Sequence, residues 1–144
     1  LCLQWLDTEL KGGESVLDYG CGSGILAIAA LKLGARAADG VDIDPQAVAA
    51  AKANAEQNNT AARFYLPDEL PQGQYDVVVA NILANPLRML SEMLAARTKS
   101  GGRIVLSGLL ADQAQELSEI YGRWFDLDPV ATDEGWARLS GVKR

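Results

Sequence analysis

The sequence predicts an α/β fold with a mostly parallel sheet, and three observations carry that expectation. Short apolar segments alternate with helix-forming ones along most of the 144 residues. Val77-Val78-Val79 lies in an unbroken apolar run, as expected of a strand buried on both faces. The last two strand candidates have no helix between them, so they close a βα-alternating chain with an antiparallel hairpin.

The elements follow in order. Apolar residues at 1, 3, 5, 6 and 10 form one face of a short leading helix, which Lys11-Gly12-Gly13 stops. Residues 15–19 read as the first strand, and residues 23–33 as an Ala/Leu/Ile helix closed by Gly34. Residues 37–42 form a second strand. Asp44 and Pro45, as N-cap and first helical residue, open a helix running to about Gln57. Residues 62–66 make a third strand, 76–80 a fourth, 86–97 a helix ended by Ser100-Gly101-Gly102, 103–107 a fifth strand and 112–121 a helix. Residues 125–130 and 136–142 are the hairpin strands, with 131–135 joining them.

Composition narrows the class. With 49% hydrophobic and 22% charged residues, the chain suits one soluble globular domain spanning 1–144, and no apolar run is long enough to span a bilayer. The first residues show neither an initiator Met nor a basic signal-peptide start, so a longer protein with material upstream is expected. Two cysteines, Cys2 and Cys21, suit a reducing cytoplasm and cannot build a four-ligand zinc site. The absence of histidine excludes Ser-His-Asp and Cys-His nucleophilic machinery. A net charge of −6, with Lys and Arg scattered, disfavours direct binding of nucleic acid.

The most informative segment is Val16-Leu17-Asp18-Tyr19-Gly20-Cys21-Gly22-Ser23-Gly24. A strand ends in glycines at alternate positions, and a helix follows at once. Glycines permit positive φ and close approach of a ligand, while the helix start offers free N–H groups and a positive dipole end. The spacing is G-x-G-x-G, and Ile25 stands where the dinucleotide pattern would place its third glycine. Asp42 ends the second strand, 22 residues after Gly20, where an acid can accept hydrogen bonds from both ribose hydroxyls. Asn81 ends the buried fourth strand at the carboxyl edge, where open α/β sheets bind ligands; its amide can accept from an amine and donate to a cofactor oxygen.

The glycine segment with Val41-Asp42-Ile43-Asp44 resembles the class I S-adenosylmethionine-dependent methyltransferases. Four stretches, 1–7, 18–35, 80–87 and 107–136, resemble the bacterial ribosomal protein L11 methyltransferase family, and Asn81-Ile82-Leu83-Ala84 is the most specific of their motifs. The resemblance implies a Rossmann-like three-layer sandwich with a seven-stranded sheet of order 3-2-1-4-5-7-6, its last strand antiparallel. It implies S-adenosyl-L-methionine as cofactor, held by Asp18, Gly20, Gly22, Asp42 and Asn81, with no metal. It also implies an upstream substrate-recognition domain and an upstream Pro-Thr-Thr segment that helps hold the cofactor. The family usually has Gly where Asn85 stands, and Asn tolerates positive φ as well.

Each residue has a plainer reading. Asp18 either caps the turn as a buried acid or meets the cofactor ammonium. Asp44 is explained by its capping role, and Asp68 by an exposed loop. Asn81 could simply cap its strand, or position the substrate amine. Ile82 and Leu83 replace the prolines of an Asn-Pro-Pro-aromatic motif, which argues against a flat base in the site. Trp5, Trp136 and Tyr19 read more naturally as core than as pocket lining, and Cys21 as a small buried filler.

The expected function is methyl transfer to α-amino and lysine ε-amino groups of a large-subunit ribosomal protein, L11, by a cytoplasmic, monomeric enzyme. A dry site beside a cationic cofactor lowers the pKa of the accepting amine, so no histidine is required. A small-molecule or RNA methyltransferase of the same fold, or a non-catalytic nucleotide-binding domain, are the alternatives.

Overall fold

A computed structural model describes residues Leu1–Arg144. The chain folds as two compact units, one comprising Leu3–Gly73 and the other Leu1–Cys2 with Gln74–Arg144. No helix is long and apolar enough to cross a membrane.

The Leu3–Gly73 unit holds most of α1 (Cys2–Glu9), then β1 (Ser15–Tyr19), α2 (Ile25–Lys32), β2 (Ala37–Val41), α3 (Pro45–Gln57) and β3 (Arg63–Tyr65). Its strands are parallel in the order β3-β2-β1, with Tyr19 beside Val41 and Val41 beside Tyr65. All of the carboxyl ends therefore lie along one edge. Helix α3 starts as its sequence dictates: Asp44 accepts from the Gln46 N–H at 2.9 Å, and Pro45 occupies the first turn, where its missing N–H costs nothing. Helix α2 starts two residues later than its pattern suggests. Gly24, at φ 86°, is the residue before the helix, because only after that left-handed position can the chain turn helical.

The second unit carries β4 (Tyr75–Asn81), α4 (Ala84–Met89), α5 (Ser91–Ala96), β5 (Thr98–Leu110), α6 (Ala114–Tyr121), β6 (Phe125–Leu127), β7 (Ala131–Asp133) and β8 (Trp136–Lys143). Its strand order is β4-β5-β8-β6, with β4 and β5 parallel and β8 antiparallel to β5 and to β6. The core is built from fully buried Leu87, Leu94, Ile104, Leu106, Leu117, Phe125 and Leu139. Tyr121 packs against Phe125 with ring centroids 6.3 Å apart, and its hydroxyl donates to the Leu87 carbonyl at 2.7 Å. That bond satisfies the phenol inside an apolar core and ties α6 to α4.

Three expectations are corrected here. The single helix expected over 86–97 is two helices. Leu90 sits at φ −97°, ψ 4°, outside helical geometry, and the Ser91 hydroxyl donates to the Arg88 carbonyl at 3.1 Å across the break. Helix α4 also begins earlier, since Pro86 falls in its first turn, where a proline is tolerated. Asn85 lies inside α4 and needs no positive φ; its side-chain oxygen accepts from Arg88, whose guanidinium also grips Glu116 of α6 at 2.7 and 2.9 Å.

Ser100-Gly101-Gly102 does not end a helix but forms an irregularity inside the long β5, where the register with β4 shifts between Tyr75 and Val77. Gly101 has φ 79°, and a Cβ on Gly102 would lie 2.9 Å from the Asp76 carbonyl oxygen. The joining segment 131–135 shrinks to a two-residue turn. Residues Ala131–Asp133 pair with β8 as an additional, eighth strand, with Asp133 opposite Trp136. Glu134 and Gly135, both at positive φ (50° and 84°), make the turn, the geometry that matches the twist of the flanking strands.

Candidate cofactor and substrate sites

The glycine loop is fixed by main-chain bonds. Beyond Tyr19, the Gly20 and Cys21 N–H groups both donate to the Val41 carbonyl, at 2.7 and 2.9 Å, which ties the loop to the end of β2. The Gly24 N–H closes a turn onto the Cys21 carbonyl at 2.9 Å. Gly20, Gly22 and Gly24 all have positive φ, at 78°, 54° and 86°.

These glycines have different duties. A Cβ on Gly24 would lie 2.8 Å from the Phe64 ring and 3.0 Å from Ala51, so Gly24 serves packing. Gly40 does the same from the neighbouring strand, where a Cβ would approach the Phe64 ring to 2.5 Å. Around Gly22 nothing lies within 4 Å of the Cβ position, so that point of the loop is open to a ligand.

Asp42 is held from two sides. One carboxylate oxygen accepts from the Gly22 N–H at 2.9 Å, the other from the Asp44 N–H at 3.0 Å. Each oxygen keeps a further lone pair, so the half-buried carboxylate can still accept from a pair of hydroxyls. Sequence spacing placed Asp42 at the strand end; its grip on the glycine loop emerges only in three dimensions.

Asp18 is buried, 1% exposed, and neither carboxylate oxygen has a hydrogen-bond partner. Burial pushes its pKa up to about 7, and the Asp42 charge adds to the rise; the pull of the Ala27 backbone N–H offsets only part of it. An unpartnered buried carboxyl is costly unless a cation or donor completes it. The Cys21 thiol is pushed up to about 12 by burial first and by the charges of Asp18 and Asp42 next, so it stays protonated and acts as the buried filler expected.

In the other unit, Asn81 is exposed at the end of β4, opposite Ser107 of β5. The Ile82 N–H donates to the Ser107 carbonyl at 3.1 Å. Gly108 follows with φ 89°, and a Cβ there would collide with the Ile82 carbonyl. The two backbones therefore run close enough to leave Asn81 projecting at the strand end. Beside it lies a cavity of about 370 Å³ whose walls include Asn81, Ser107, Gly108, Asp133, Glu134 and Trp136.

Trp5 is buried as expected, whereas Trp136 is 46% exposed and lines the cavity, a correction to its core reading. Asp44 caps α3 and Asp68 is exposed, both as read. Ser107, Asp133 and Glu134 carried no sequence signal of their own: a serine within a strand and two acids in a turn are ordinary, and only the pairing of β4 with β5, of β5 with β8 and of β7 with β8 brings them near Asn81.

The fold is that of the class I S-adenosylmethionine-dependent methyltransferases. It matches the ribosomal protein L11 methylase of Lactobacillus delbrueckii subsp. bulgaricus with a TM-score of 0.90 at 29% identity, over 99% of this chain and 77% of that one. An RNA methyltransferase from Salinibacter ruber, solved with S-adenosyl-L-homocysteine, matches at 0.76 and 21% identity, over 99% of this chain and 90% of its own. Within this class, the chain belongs to the ribosomal protein L11 methyltransferase (PrmA) family, whose model matches residues 1–144. The ribosomal protein L11 methyltransferase of Neisseria gonorrhoeae is 79% identical over all 144 residues, which make up 49% of its length. The chain thus spans about half the length of the curated relatives it matches.

Proposed function

We propose that this chain is the catalytic part of an S-adenosylmethionine-dependent protein N-methyltransferase acting on α-amino and lysine ε-amino groups of ribosomal protein L11. The observation that carries the reading is the unpartnered, buried Asp18 carboxyl in the same unit as an open Gly22 and a braced Asp42. A ligand with an ammonium group and a vicinal diol answers that donor set. Membership of the family supplies the remainder of the support.

Asp18 accepts from the ammonium of the cofactor, directly or through water. Gly20 and Gly22 let the main chain come close to its methionine part. Asp42 takes the ribose hydroxyls. When bound, S-adenosyl-L-methionine supplies a methyl group activated by its sulfonium. Asn81 is assigned the reacting end of the substrate: its side-chain oxygen accepts from an uncharged amine and orients the nitrogen lone pair, and its amide N–H₂ is free for a cofactor oxygen. Orientation of this kind lowers the barrier by several kcal/mol without any acid–base residue. The protein is read as a cytoplasmic monomer, in which an upstream domain recognises the ribosomal protein and this chain forms the methyltransferase domain.

Incubation of the full-length protein with ribosomal protein L11 and methyl-labelled S-adenosylmethionine tests the reading. Label on lysine and α-amino nitrogens is expected. A protein that binds the cofactor and labels only RNA or a small molecule contradicts it.

A further inference from the structure

The far half of the glycine loop is held by a side chain from another helix. The Ser23 carbonyl lies outside the ladder of α2, which begins with the Ile28 N–H donating to the Gly24 carbonyl at 3.0 Å. It accepts instead from the Asn54 side-chain amide of α3, at 3.0 Å and across 31 positions of sequence. We propose that Asn54 is a positioning residue for the cofactor: by fixing the Ser23–Gly24 peptide it presets the loop for binding, and so raises the affinity for S-adenosylmethionine. The inference rests on the reading of this loop as the S-adenosylmethionine cradle and adds a residue from outside the loop.

Peptide geometry comes first. In a trans peptide the carbonyl and the N–H point in opposite directions, and no peptide of this chain is cis. The Ser23 carbonyl meets Asn54, while the Gly24 N–H meets the Cys21 carbonyl at 2.9 Å. That peptide plane is clamped at both edges. Gly22 comes just before it, open to a ligand on one side and donating its N–H to Asp42 at 2.9 Å. Rotation of the 23–24 peptide would pull Gly22 out of line with Asp42.

Packing leaves this rotation as the freedom to be controlled. Ala51 of α3 is fully buried, and it lies 3.0 Å from the position a Gly24 Cβ would take. The Phe64 ring fills the space beside Gly24 and Gly40, where Cβ atoms would approach it to 2.8 and 2.5 Å. Asn54 follows Ala51 by one turn on the same side of α3. The helix therefore meets the loop with an apolar contact and a polar one, the first limiting translation and the second limiting rotation.

Helix propensity argues in the same direction. Asn54 stands between Ala53 and Ala55 in an alanine-rich helix, where Asn is the poorer helix former. Its bond to the loop offsets that local cost. A loop ordered before the ligand arrives loses less conformational entropy on binding, so the effect of the bond falls on affinity.

In the full-length protein, Asn54→Ala is expected to weaken S-adenosylmethionine binding about fivefold by calorimetry. The urea-unfolding midpoint should stay near that of the wild type, because Ala is the better helix former. Asn54→Asp keeps the shape but sets a carboxylate against a carbonyl, and should weaken binding further. Asn54→Gln keeps the amide donor and should recover part of the affinity. Without cofactor, amide hydrogen exchange in residues 20–24 should be faster in Asn54→Ala than in the wild type. Unchanged affinity in the Ala and Asp variants, a loss of affinity matched by an equal loss of stability, or unchanged exchange overturns the proposal. If the wild type does not bind S-adenosylmethionine but exchange still quickens in the variant, the bracing stands and the cofactor reading alone fails.

Discussion

The two units solve the problem of building a site in opposite ways. In Leu3–Gly73 the candidate cofactor cradle is local: a loop of five residues held by the main chain at the end of β2, with Asp42 bridging Gly22 and Asp44. In Gln74–Arg144 the cavity beside Asn81 is assembled from three places in the chain, Asn81, Ser107 and the β7–β8 turn with its acids and Trp136, brought together by strand pairing. A cradle defined by backbone conformation leaves a glycine pattern in the sequence. A cavity defined by register leaves almost none.

The largest expected effect probes the first of these. Gly24→Ala places a Cβ against Phe64 at φ 86°, and should destabilise the protein by about 2–4 kcal/mol in urea unfolding. Gly22→Ala meets open space and pays only for its φ of 54°, about 1 kcal/mol, while losing cofactor affinity. If both variants were equally destabilised, the division between a packing glycine and a ligand-facing one would be wrong.

Next is Asp42→Ala. Loss of two charge-assisted bonds to ribose should weaken S-adenosylmethionine binding by about 3 kcal/mol, roughly 100-fold, by calorimetry. A change under about threefold would remove the ribose assignment.

Asp18 yields a pH signature. Its folded pKa, about 7, lies above the usual 3.8, so the folded protein holds the proton more tightly. The stability it contributes is fully present below about pH 4 and is lost as pH rises through about 7. Asp18→Asn, which cannot ionise, should flatten that fall in a urea-unfolding series across the interval. Linkage also requires cofactor affinity in the wild type to climb as pH approaches 7 from below, by up to about tenfold per pH unit, a slope the variant should lose.

What the sequence could and could not reveal follows the same line. Helix α3, with Asp44 and Pro45 at its start, and the strand cores around Leu17 and Val78 were legible because capping and apolar runs are local signals. The break at Leu90 was not, because a side-chain bond from Ser91 and the packing of two short helices decide it against a continuous helical pattern. Strand β7 was hidden for a related reason: Ala131-Thr132-Asp133 has no apolar alternation, and its pairing with β8 is imposed by the two-residue turn. At the candidate site, Gly22 and Asp42 could be named from spacing and Asp18 from the family resemblance, whereas the orphaned state of Asp18 and the exposure of Trp136 required coordinates.

The smallest effect sharpens the second region. Glu134 occupies φ 50°, where Asn before Gly is the preferred turn residue. Glu134→Asn should therefore stabilise the protein slightly, by about 0.5 kcal/mol in urea unfolding. Unchanged or lower stability would mean that the turn does not select for the residue type its backbone geometry favours.

The central claim is that the glycine loop with Asp18 and Asp42 is built for S-adenosylmethionine. Parallel calorimetric titrations of the full-length protein with S-adenosylmethionine and with NAD test it most directly. Saturable binding of S-adenosylmethionine and none of NAD is expected; binding of NAD alone would contradict the claim.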